Sequence, residues 1–317
     1  VSTLHFKNTQ YPSTAFFILK HLGLVPGVEE PVYQELGNQM SILGESFALN
    51  SPLAKGPIFT LVYQIPSYLE VTPMEFDELF RSIIYLVENE SFKSFSTKWP
   101  AETKYWDTWY SPGWMHHLFN NLQKDKNRAL AIIETFLLLL HDNWVDYSNI
   151  YKEKMAGFQI EKHERFCNSF DIFRRWEDSF SQSYPYNDFT VIICPEATNT
   201  ATSLGPEKIV LGIEKTKNSL NTCVHEIGVR MIGLDKLSKN QDIESIMIKD
   251  FDNIMLLIET EICFRKQSIF PEIRVDSFVD SNNLHDLIAW RATKKSPDEF
   301  INSLINWYKE AKGLSLI

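Results

Sequence analysis

The 317-residue sequence is short of several features that would narrow its function quickly. It has only four cysteines, Cys167, Cys194, Cys223 and Cys263, far apart and without a CxxC pair. That spacing argues against a disulfide framework or a zinc knuckle and reads as small buried hydrophobes of a reducing compartment. Long apolar runs are missing too. The longest, Ala129 to Leu140, contains Glu134 and is too short to cross a bilayer. No basic stripe is present, since Lys294-Lys295 and Arg174-Arg175 are only short pairs, and the formal charge is −10. That balance speaks against a nucleic-acid backbone or an anionic membrane as the main partner. The chain opens at Val1 without a basic and then apolar leader, so a soluble, cytoplasmic protein is expected. There is no GxSxG elbow, P-loop or GxGxxG, and no internal repeat or low-complexity tract. His225 with Cys223 and Cys194 does not make a deaminase site, because the PCxxC half is absent.

What is present is ordinary globular composition, 44% hydrophobic and 23% charged. The expected fold class is α+β, predominantly helical, with a division into residues 1–155 and 156–317. The first part reads as a helical domain with an aromatic-rich loop. Val32, Leu36, Met40, Leu43 and Phe47 recur at helical spacing, so Pro31 to about Asn50 is expected as an amphipathic helix. Gly56 to Tyr63 is β-branched and aromatic and reads as a short strand. Thr72-Pro-Met-Glu75 is a capping box opening a helix to about Glu88, and a further helix covers Asn127 to about Tyr151. Trp99 to Phe119 gathers seven rings and the pair His116-His117. Such rings usually glue a loop onto helices, although a stacking platform for sugar is the functional alternative.

In the second part, Tyr151 to about Ser183 continues as charged amphipathic helix, with His163 read as solvated among its charged neighbours. Phe189-Thr-Val-Ile-Ile-Cys194 and Lys208-Ile-Val-Leu-Gly-Ile213 are strong strands, expected to form a hairpin around a polar loop from Ala197 to Ser203. A helix from Ser219 follows. Leu220, Val224, Ile227 and Met231 form its apolar stripe, and His225 lies beside that stripe. Glu226 and Arg230, four residues apart, are placed for an ion pair on the helix surface. Gly228 lowers helix propensity and requires something packed closely against it. The next helix, Asp242 to about Lys266, carries Glu259 and Glu261 beside its buried face. An irregular segment and two helices, Asn283 to about Ala292 and one opened by Ser296-Pro-Asp-Glu299, close the chain.

Residues from about 189 to 265, with the helix motif His225-Glu226-Ile-Gly-Val-Arg230, resemble the core of a zincin-like, gluzincin-type metallopeptidase. The resemblance implies a zincin-like unit of strand hairpin, His-Glu helix and Glu-bearing helix, with zinc as cofactor and peptide or protein as substrate. It implies that His225 and one of Glu259 and Glu261 bind the metal. It also makes Glu226 the general base that deprotonates the zinc-bound water. The motif departs from the family at its second histidine. An HExxH helix carries that residue four positions after the first, where this chain has Val229, and an HExxxH helix five after, where it has Arg230. His285, His141 or one of His116-His117 is a distant candidate for a replacement ligand. The alternatives are an inactive zincin-fold protein that binds peptide or protein, and a core helix whose His225 satisfies a backbone carbonyl.

Overall fold

The computed structural model describes residues 2–24, 32–33, 35, 57–90, 99, 122, 126–197, 201–213, 215–232, 258–259, 261–273, 299, 302 and 306. The expected helix at 31–50, the aromatic stretch beyond Trp99, the start of the Asp242 helix and the two closing helices lie outside these residues. Within them the chain is α+β and predominantly helical.

Four strands form one sheet in the order β1-β2-β4-β3. Strand β1 (Thr3–Lys7) pairs parallel with β2 (Asp188–Cys194), which pairs parallel with β4 (Lys208–Gly212); β3 (Ala201–Ser203) runs antiparallel to β4. Every residue of β2 after Asp188 is buried. Its unbroken apolar run is therefore that of a strand covered on both faces, as parallel strands are, rather than the alternation of a half-exposed hairpin. Two expectations are corrected here. The strands at 189–194 and 208–213 are parallel neighbours and not a hairpin, and the hairpin is made by β4 with β3, which the sequence had suggested was loop.

The two faces of the sheet carry separate cores. On one, Phe189, Val191, Ile193, Ile209 and Leu211 pack beneath α4 (Ile160–Asn168), α5 (Ile172–Phe180) and α6 (Thr216–Met231). On the other, Ile192, Cys194 and Val210 meet α1 (Gln10–His21), the helical stretch 57–69 and α2 (Phe76–Asn89). Helix α3 (Lys126–Ala156) serves both, the first half in one core and Tyr147, Tyr151 and Met155 in the other.

The local signals explain most boundaries. Ahead of α2, the Glu75 carboxylate accepts from the Thr72 backbone N–H at 2.9 Å, and the Thr72 side chain in return accepts from the Glu75 backbone N–H, a reciprocal start to the helix. The described part of the stretch expected as a strand, residues 57–63, is helical instead, with a π-helical turn at Thr60–Gln64. Its residues are buried all round, so packing has overridden the β propensity of its branched and aromatic side chains. The charged stretch 151–183 is not one helix: α3, α4 and α5 divide it, with Asp171 and Ser181 in the left-handed region. His163 is buried rather than solvated, stacked on Phe158 with ring centroids 4.2 Å apart. Strand β1, unforeseen from the sequence, has its outer edge closed by α4. Asn168 both accepts from Leu4 N and donates to Leu4 O, at 3.2 and 2.9 Å, and Glu164 accepts from Phe6 N at 2.8 Å. Such side-chain pairing protects a sheet edge from foreign strands.

Candidate functional site

Helix α6 leaves the end of β4 and runs across one face of the sheet, which places His225 and Glu226 near its middle. Its close approach to α5 depends on Gly228. A Cβ there would lie 2.4 Å from Trp176 Cζ2, and Trp176 Nε1 donates to Val224 O at 2.9 Å. The element packed on Gly228 is thus the indole of α5.

Glu226 and Arg230 form the expected ion pair, at 2.6 Å, but not on the surface. Arg230 is 1% exposed. Its Nε donates to Pro206 O at 2.8 Å, and one terminal nitrogen donates to Glu226 O at 2.8 Å and to the Glu226 carboxylate. The other donates to Ser203 Oγ at 2.7 Å and to Gly205 O at 3.0 Å. These bonds engage all five guanidinium N–H groups. The guanidinium carbon also lies 4.9 Å from the Phe189 ring centre. Arg230 therefore fastens α6 to the turn between β3 and β4, and a buried cation needs such complete pairing. The turn contributes a further, half-buried acid: Glu207 accepts from the Tyr68 hydroxyl at 2.8 Å, and partial burial pushes its carboxyl up from the usual range.

His225 meets the helix formed by residues 258, 259 and 261–269, where its Nε2 contacts the Glu259 carboxylate. Burial alone would lower the imidazole pKa. The Glu259 charge, a bond to the Cys263 side chain and the Glu226 charge outweigh burial, and His225 is pushed up to about 10. Its imidazole faces a carboxylate, and the raised pKa favours the imidazolium form of an ion pair. Glu261, fully buried, accepts instead from Arg265 Nε at 2.5 Å, while Arg265 covers the Phe180 ring at 4.1 Å.

The structure thus brings Glu226 to Arg230 and Glu259 to His225. His141 pairs with Asp77 at 3.1 Å. His116, His117 and His285 lie outside the described residues. Among the described residues no group of three or more His, Cys, Asp and Glu side chains is placed to hold a metal ion. Sequence reasoning missed Ser203, Gly205 and Pro206 as the partners of Arg230. The Gly205-Pro206 dipeptide marks a turn, but nothing local says which side chain that turn will receive. Comparison with protein-family models, curated proteins and solved structures finds no match. No described helix is long and apolar enough to cross a membrane.

Proposed function

We propose that this chain is built on a zincin-like frame in which two ion pairs stand where the metal centre would be, and that it binds a peptide or protein without cleaving it. Three features support the frame. A short antiparallel strand pair at the sheet edge precedes the His-Glu helix, β4 feeds directly into that helix, and a later helix presents Glu259 to His225.

Arg230 carries the reading. A catalytic zinc is held by three protein ligands with a fourth position left for water. In the HExxxH register the second ligand position holds a guanidinium, buried and with every donor engaged. In the HExxH register it holds Val229, which offers no donor atom. The side chains present therefore do not fit a zinc ion. Glu226, which would act as base, is held by the Arg230 guanidinium, and that contact ties up the oxygen that would receive a proton. The partner class follows from the frame, since a peptidase-like unit without its chemistry keeps a surface suited to polypeptide.

Metal content by elemental mass spectrometry, on protein purified without chelator beside a His225→Ala variant, tests the reading. The expected result is no zinc in either and no change in unfolding midpoint on adding zinc. Screening a peptide library should then yield ligands recovered intact. About one zinc per chain, lost in the variant, would overturn the proposal and reinstate a metallopeptidase with His225 and Glu259 as ligands and Glu226 as base.

A further inference from the structure

A second polar cluster forms where β2 ends, at the seam between α1 and α3. The chain leaves β1 into α1 on one face and leaves β4 into α6 on the other, with β2 between them. Connections that diverge in this way open a crevice outside the carboxyl end of the intervening strand, the place where open parallel sheets receive ligands. Cys194-Pro195-Glu196 occupies that end.

Glu196 is 3% exposed and is approached from two helices. Lys20 of α1 meets one carboxylate oxygen at 3.0 Å; the Tyr147 hydroxyl, at 2.8 Å, and the Lys154 ammonium, both of α3, meet the other. Burial works against the charge, but the bonds from Lys154, Lys20 and Tyr147 hold the carboxyl below its usual range. Two lysines against one carboxylate leave one positive charge in excess.

The seam between α1 and α3 is lined at helical spacing, by Ser13, Phe17, Lys20 and His21 on one side and Tyr147, Tyr151 and Lys154 on the other. The Phe17 and Tyr147 rings join the two sides, 4.9 Å apart. Two of these polar side chains are left over. His21 Nδ1 and the Tyr151 hydroxyl are buried and have no hydrogen-bond partner among the described residues, while the Ser13 hydroxyl is within reach of Tyr147 and Cys194. Tyr151 lies beside Cys194, and His21 beside Glu196. Burial and the neighbouring Cys194 push Tyr151 up to about 12, so its hydroxyl keeps its proton and can donate. Burial lowers His21, so its ring is neutral. Buried polar atoms in native proteins are almost always paired, and a group of orphans facing an excess positive charge has the chemistry of an unfilled anion site.

We infer that this seam is a second binding site, taking a small oxyanion of the carboxylate or phosphate class on the Tyr151 hydroxyl, His21 Nδ1 and the Lys154 ammonium. Lys154 is the way in. Its side chain is 43% exposed, so its ammonium can turn from Glu196 toward an entering anion while Lys20 keeps Glu196 paired. The site shares no residue with the Arg230 cluster and stands whether or not the reading of α6 does.

The test is thermal unfolding of the full chain in sodium acetate or sodium phosphate, at an ionic strength kept constant with sodium chloride. The midpoint of the wild type should rise saturably with at least one of the two anions, and which one responds separates carboxylate from phosphate. A Tyr151→Phe variant removes an orphan hydroxyl, so in chloride it should unfold no earlier than the wild type. Its apparent affinity for the responding anion should fall at least tenfold, taking an order of magnitude as the least effect of losing a buried donor to an anion. Lys154→Gln, at a half-exposed position, should weaken binding by a similar factor with the hydroxyl intact. No rise in the wild type beyond the chloride control would overturn the inference. So would the same rise in both variants, which would mark general salt stabilisation only.

Discussion

Arg230 and Glu196 are both buried charges next to the sheet, one at the β3–β4 turn and one beyond the end of β2, and they are held in different ways. Four of the five bonds from Arg230 go to backbone carbonyls or to its own helix neighbour, and the fifth goes to Ser203 beside the same turn. The acceptors at Ser203, Gly205 and Pro206 cannot move unless the β3–β4 turn moves with them. Glu196 is held by the far ends of three side chains, two of them lysines with four-carbon stems. Those partners can be redirected without disturbing the backbone. A charge fixed by backbone acts as a fastener, and one fixed by flexible side chains leaves room for exchange. The cluster with the peptidase-like motif is therefore the locked one, and the cluster without any motif is the adjustable one.

Removing the fastener should have the largest effect. Arg230→Met leaves the Glu226 carboxylate and the Gly205 and Pro206 carbonyls without their buried donor. Stability measured by denaturant unfolding should drop by about 3–5 kcal/mol. Arg230→Lys should recover little of this, because one ammonium cannot reproduce a planar five-donor fork. Near wild-type stability in the methionine variant would remove the contrast between the two clusters. Gly228→Ala comes next. A methyl group 2.4 Å from the Trp176 ring has no flexible neighbour to displace, and overpacking of this kind should cost about 1–3 kcal/mol. Denaturation of Gly228→Ala beside Gly228→Ala/Trp176→Phe checks the cause, since the smaller ring should recover part of the loss.

The His225–Glu259 pair adds a pH dependence to the same cluster. The folded pKa of His225, about 10, lies above the 6.5 of an unhindered histidine. A raised folded pKa stabilises fully below the unfolded value and loses that contribution as pH rises through the folded one. The pair should therefore support stability fully near pH 6 and progressively less up to about pH 10. The gap in unfolding free energy between wild type and His225→Gln should narrow across that window. A gap constant from pH 6 to 10 would mean that His225 is not an imidazolium in the folded protein.

Local signals carried much of the fold. The capping box before α2, the two strong strands and the 3.6-residue stripe of α6 all stand where their residues put them. What failed was long-range. Strand β1 has only five residues, and nothing in Thr3–Lys7 shows that its partner lies 185 positions away at Asp188. The parallel pairing of β2 with β4 was open to inference from the unbroken apolar run of β2, but proximity in sequence favoured a hairpin. At the site, spacing alone placed Glu226 beside Arg230, while Glu259 entered only as one of two metal-ligand candidates implied by the family resemblance. The burial of Arg230 was not legible, because it depends on a turn 24 residues upstream whose carbonyls only the folded sheet brings into reach. The Glu196 seam needed three separated segments, residues 13–21, 147–154 and 194–196, and no motif in any one of them indicates the others.

The smallest expected effect is the most specific test of the contrast. Lys154 and Lys20 contact the same carboxylate, but the Lys154 side chain is 43% exposed and the Lys20 side chain 13%. Water already solvates the Lys154 ammonium in part and screens its attraction, so Lys154→Ala should cost under about 1 kcal/mol, as exposed ion pairs do. Lys20→Ala should cost more, because its ammonium is the more enclosed and Glu196 then retains only an outward-facing cation. Denaturant titrations of both variants and the double variant would measure the two contributions and their coupling. A loss at Lys154 matching that at Arg230 would make the seam as rigid as the Arg230 cluster, and would remove the freedom that admits a ligand there.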